Sequence, residues 1–99
     1  MAVEMGVDAN KTPRHHSDIK IANFIEGVGW LASELDMGNP INYTNPSYKS
    51  VVRDYKTCLL ITNLDHMEHL PRKPEHALPY MKMFIKKLVL HGFYEVGEP

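Results

Sequence analysis

Asn45–Leu70, NPSYKSVVRDYKTCLLITNLDHMEHL, is the stretch whose reading decides the fold. After its opening Asn-Pro it contains neither Gly nor Pro, and it is the longest apolar-rich run of the chain. Asn45 is suited to accept bonds from the orphan N–H groups of a first turn, and Pro46 loses nothing at the first helical position. Stepping about 100° per residue places Tyr48, Val51, Val52, Tyr55, Cys58, Leu59, Thr62 and His66 on one side, the pattern of a helix resting on a core. Lys49, Ser50, Arg53 and Lys56 give the first half a polar back. From about residue 58 the stretch turns apolar nearly all round, with Leu60, Ile61, Leu64 and Met67 on its other faces. The expectation is a helix through to Leu70, ended by Pro71 and buried between two neighbours as the middle of the domain.

Upstream, a second amphipathic run is opened by Ser17 as N-cap, with Asp18 in the first turn. Ile21, Phe24, Ile25, Val28, Leu31, Ala32 and Leu35 share one face. Gly38 closes the run, and Asn39-Pro40 follows. Gly27 and Gly29 lie inside it, each unfavourable against Ala by about 1 kcal/mol. They are read as a close approach of another helix, or as a kink or a backbone contact with a ligand. Ile19, Trp30 and Met37 align on the opposite face among Asn23, Glu26 and Glu34. A Trp and a Met with an acidic rim are usual parts of a protein interface; otherwise the N-terminal arm or the 39–47 loop folds over Trp30. The loop itself is turn chemistry with two Asn-Pro steps, and Ile41 and Tyr43 are expected to pin it to the core.

Downstream, the proline-rich connector PRKPEHALP (71–79) leads to a third helix. Pro74 suits a helical turn, and Pro79 either starts the helix proper or kinks it. Leu78, Met81, Phe84, Ile85 and Leu88 form its apolar face. Lys82, Lys86 and Lys87 lie on the other side, with Met83 and Leu90 as a minor apolar stripe between them. Gly92 ends the helix, with Phe93 placed to pack back in a Schellman motif.

The fold expected is therefore all-α: a small three-helix domain over residues 17–99 with a flexible N-terminal arm at residues 1–16, where Gly6, Asn10 and Pro13 break any period. Residues Phe93–Val96 leave room for one short C-terminal extended segment. At 99 residues and 43% apolar content the chain has the size and composition of a single globular domain. Its one cysteine excludes an internal disulfide and fits a reducing, cytoplasmic setting. No run of apolar residues is long enough to span a membrane, and the N-terminus has no apolar signal core.

The net charge of −1 gives no bulk attraction to nucleic acid. Its distribution is uneven, since Arg72, Lys73, Lys82, Lys86 and Lys87 face Glu75 alone over residues 72–91. A DNA- or RNA-binding regulator using the basic third helix is accordingly the alternative function. Against it, the connector is too long for a tight helix-turn-helix, and the third helix lacks Arg, Asn or Gln to read base edges.

Chemistry-bearing clusters are few. Asp65 and His69 are one turn apart, with His66 between them and His76 beyond, a spacing that suits chelation. None of the usual zinc or metalloprotease spacings is present, so these four are weak metal candidates and no cofactor is expected. Cys58 falls on the core-facing side, where thiols are inert. Neither a phosphate loop nor a nucleophile elbow occurs, and no catalysis is expected. A small-ligand pocket would draw on Tyr48, Tyr55, His66 and Tyr80.

The reading is a non-catalytic module that binds another protein or itself. The apolar stripes left over from the core supply its partner-binding residues: Ile19, Trp30 and Met37 on the first helix, and Met83 and Leu90 among Lys82, Lys86 and Lys87 on the third. In size and spare apolar surface the chain is similar to the inhibitor or adaptor proteins of phages and plasmids.

Overall fold

A computed structural model describes the backbone of residues 2–64 and 70–95, and within those ranges the side chains from residue 17 onward. Three helices make up its regular structure among the described residues: α1 (Ala2–Asp36), α2 (Pro46–Thr62) and α3 (Pro74–Leu90). The all-α class and the three-helix arrangement follow the sequence pattern. Past Gly92 the chain bends and runs on irregularly, and no strand forms among the described residues.

Helical backbone extends upstream of Ser17 to Ala2. Ser17 is therefore interior to α1 and is not its cap, because a residue flanked by helical turns on both sides has no first-turn N–H groups to satisfy. The flexible arm expected at residues 1–16 falls on side chains outside the described residues.

Each helix sends one stripe into a common core: Ile21, Phe24, Val28 and Leu31 from α1; Tyr48, Val51, Tyr55 and Cys58 from α2; Ala77, Met81, Phe84 and Leu88 from α3. These are i, i+3, i+4, i+7 positions, as an amphipathic helix requires. One aromatic ring from each helix meets at the centre. Phe24 lies 5.8 Å from both Tyr55 and Phe84, and Tyr55 meets Phe84 edge-on at 5.4 Å. Burying side chains of this size contributes about 1.5–3 kcal/mol each.

The helix packed most extensively against both others is α1, not the central stretch, which meets α3 more sparsely, with Tyr55 edge-on to Phe84. Two features place it there. Its apolar arc is broad, with Ile25 and Leu35 packed at the margins of the buried stripe. Gly27 also presents bare backbone to α2: a Cβ there would stand 2.8 Å from Val51 Cγ2. Gly29 has open space around it, so only one of the two glycines serves a close approach.

Helix ends follow local chemistry. Asn45 Oδ1 accepts from the Ser47 and Tyr48 N–H groups at 2.8 and 3.1 Å, with Pro46 at the first helical position. The expected helix to Leu70 stops at Thr62. Asn63 takes left-handed angles (φ 53°, ψ 32°), which Asn tolerates, and its N–H still reaches the Leu59 carbonyl at 2.8 Å. The Thr62 hydroxyl donates back to the Cys58 carbonyl at 2.7 Å. Leu60 and Ile61 are consequently not buried between neighbours: Leu60, in the last turn, is 84% exposed.

α3 begins at Pro74, and Pro79 is accommodated inside it on the exposed side. Both α1 and α3 end in Schellman motifs on glycines with positive φ. Asn39 N–H bonds Glu34 O and Gly38 N–H bonds Leu35 O; Phe93 N–H bonds Leu88 O and Gly92 N–H bonds Val89 O.

Candidate functional site

The outward face of α3 is the most exposed of the faces that the sequence singled out. Met83 is 59% and Leu90 82% exposed, Lys82 and Lys86 are exposed, and Lys87 is half-buried. Met83 and Leu90 stand seven positions apart, two turns along one line. That line is about 140° around the helix from the buried Met81–Phe84–Leu88 stripe. The result is an apolar ridge flanked by ammonium groups.

The α1 stripe is divided. Ile19 and Met37 are exposed, but Trp30 is half-buried and packs against the core from the side of α2. It walls a groove of about 490 Å3 between α1 and the first turns of α2, with Asn23, Glu26, Ser50, Arg53 and Asp54 among its neighbours. Trp30 is therefore partly engaged in the fold while one side of it faces the groove. The N-terminal side chains that were the other expected cover for Trp30 lie outside the described residues.

Asp54 is buried at the edge of this groove. Its Oδ1 accepts from Nε and the outer guanidinium nitrogen of Arg53, both at 3.3 Å. The Arg53 side chain is itself mostly in water, so the pair contributes little. Cys58 is fully buried, and its thiol donates to the Lys20 carbonyl with Sγ 3.7 Å away. Burial, and secondarily the charge of Asp54, push that thiol up to about 12, so the thiolate needed for nucleophilic chemistry does not form at neutral pH.

The residues expected to line a ligand pocket do not gather. Tyr48 and Tyr55 are core side chains, Tyr80 is exposed on α3, and His66 lies outside the described residues. Tyr55 is held in the ring cluster by Phe24 and Phe84, a role its apolar-face position permits equally well. For the metal candidates, Asp65, His66 and His69 lie outside the described residues, and His76 is exposed in the first turn of α3. Among the described residues, no three His, Cys, Asp or Glu side chains come together as a metal would need. Among them too, no helix is long and apolar enough to cross a membrane.

A second groove was not anticipated from the sequence. About 380 Å3 in volume, it lies on the other flank of α2, bounded by Tyr43, Tyr48, Lys49, Val52, Lys56 and the connector residues Leu70–Arg72. Tyr43 does not pin its loop to the core as expected. It is exposed, and the Arg72 guanidinium stacks on its ring at 3.9 Å from the centroid. Ile41 alone packs that loop against the core. The available signal was Lys49, Val52 and Lys56 at i, i+3, i+7, which reads equally well as a solvated helix back.

Comparison of the chain with protein-family models, with curated proteins and with solved structures returns no match.

Proposed function

We propose that this chain is a non-catalytic module that binds another protein through the outward face of α3, with Lys82, Met83, Lys86, Lys87 and Leu90 as its contact residues. The observation that carries this reading is the exposed Met83–Leu90 ridge on the side of α3 that the core does not use. Two large apolar side chains held in water on a rigid helix are recovered free energy for a partner, about 1.5–3 kcal/mol for each one fully buried. The ammonium groups beside them favour a partner whose apolar groove has an acidic rim, and they repel copies of the same basic face. The amphipathic helix-in-groove mode fits this geometry. Ile19 and Met37 on α1 are also exposed and remain secondary contact candidates. An inhibitor or adaptor role in the cytoplasm is the biological form of this reading.

The test uses tagged full-length chain and its Met83→Ser/Leu90→Ser variant side by side in lysate of the source cells. A stoichiometric protein held by the parent and lost with the variant is expected, the loss being at least about 2 kcal/mol in affinity, or roughly thirtyfold. A protein retained equally by both would reject the α3 face. Sedimentation of the two purified chains covers self-association: a dimer present only in the parent would make a second copy the partner.

The basic third helix supports a second reading, nucleic-acid binding, on the exposure of Arg72, Lys73, Lys82 and Lys86. It requires recovery of nuclease-sensitive material from the same lysate, with affinity falling steeply as salt rises.

A further inference from the structure

The groove on the far flank of α2 is a built recess with a one-sided charge. Its charged lining residues among those described are Lys49, Lys56 and Arg72, all cations. The Tyr48 phenol is neutral at neutral pH, and burial pushes it further above its ordinary value. Val52, Leu70, Pro71 and the two tyrosine rings supply the apolar surface between the cations.

Arg72 is the organising group. Its guanidinium carbon lies over the Tyr43 ring, 3.9 Å from the centroid. A guanidinium held over a ring face by its carbon still carries N–H donors at its edge, and carboxylate and phosphate oxygens accept such a fork bidentately. Lys49 and Lys56 are two helical turns apart, about 10.5 Å along the axis. Their ammonium groups can therefore mark the two ends of a recess while Val52 forms its middle. A volume of about 380 Å3 is at the small end of the range that organic ligands occupy. This is the size of a bicyclic body rather than of a folded partner.

We propose that this groove binds a small amphipathic organic anion: a carboxylate or phosphate on Arg72 and one lysine, carried on a flat aromatic or aliphatic body that lies against Tyr43, Tyr48, Val52 and Pro71. The site is separate from the α3 face, and its proof or failure leaves the protein-binding reading untouched.

The probe is 2-naphthoate, titrated into the 15N-labelled full chain and followed by amide chemical shifts. Neutral 2-naphthalenemethanol and inorganic phosphate are titrated in parallel. Saturable shifts are expected at Tyr43, Lys49, Val52, Lys56 and Arg72, with the alcohol and phosphate each weaker by about tenfold or more. A Lys49→Gln/Arg72→Gln variant should lose about as much. Equal binding of acid and alcohol would reduce the groove to an apolar surface and overturn the proposal. Phosphate binding as well as naphthoate would remove the role of the apolar wall. Shifts confined to Met83 and Leu90, or shifts that never saturate, would also reject it. If the variant fails to fold, comparison of the three probes on the parent chain still decides.

Discussion

Gly27 and Gly29 are two residues apart on α1 and have opposite surroundings. An added Cβ at Gly29 meets nothing within 4 Å, whereas at Gly27 it stands 2.8 Å from a methyl of Val51. Val51 is buried and β-branched, so it has little rotamer freedom with which to retreat. Gly29→Ala should raise stability by about 0.5–1 kcal/mol through helix propensity alone. Gly27→Ala gains the same propensity but wedges α1 from α2, an overpacking typically worth about 1–3 kcal/mol, so the sum is destabilising. Urea midpoints that move in opposite directions would bear this out; two midpoints moving together would refute the close approach. The sequence offered one explanation for both glycines. They differ by about 200° around the helix, and only knowledge of the side on which α2 docks separates them.

At the scale of the element, some boundaries set by a local device were legible, whereas Ser17 was taken for a start that lies upstream at Ala2. Asn45-Pro46 and Gly92-Phe93 are local devices, and the structure realises both. Asn45→Ala removes two acceptor contacts to first-turn N–H groups and should lower stability by about 1 kcal/mol, read from thermal or urea unfolding. An unchanged midpoint would mean that solvent replaces the cap without loss. The end of α2 was misjudged because the apolar run continues past Thr62. Hydrophobicity signals burial, but it does not forbid a left-handed residue, and Asn63 is a type that accepts one. The start of α3 was hidden differently. Two prolines five positions apart each suit a first turn, and the exposed Pro79 is tolerated inside because its ring points away from the core.

For the molecule as a whole, the three stripes were readable because each is a periodic pattern in one segment. The ring cluster of Phe24, Tyr55 and Phe84 and the predominance of α1 in the helix packing were not, since both depend on which stripes face each other. The same limit governs the candidate sites. The α3 ridge was legible, being the far side of a single amphipathic helix. The groove of Tyr43, Lys56 and Arg72 draws on a loop, a helix and a connector that are remote in sequence.

The exposed ridge also separates the methionines by chemistry. Met81 is fully buried, Met83 is 59% exposed and Met37 is 62% exposed. Peroxide oxidises a thioether that it can reach, and the sulfoxide formed is polar. Mild peroxide should therefore add oxygen to Met37 and Met83 while sparing Met81, a difference that peptide mass spectrometry reads directly. The core would stay intact while half of the α3 ridge became polar. Partner capture would then fall with the extent of Met83 sulfoxide and return on treatment with a methionine sulfoxide reductase. The face proposed for binding is thereby also one on which oxidant exposure would register while the core is spared.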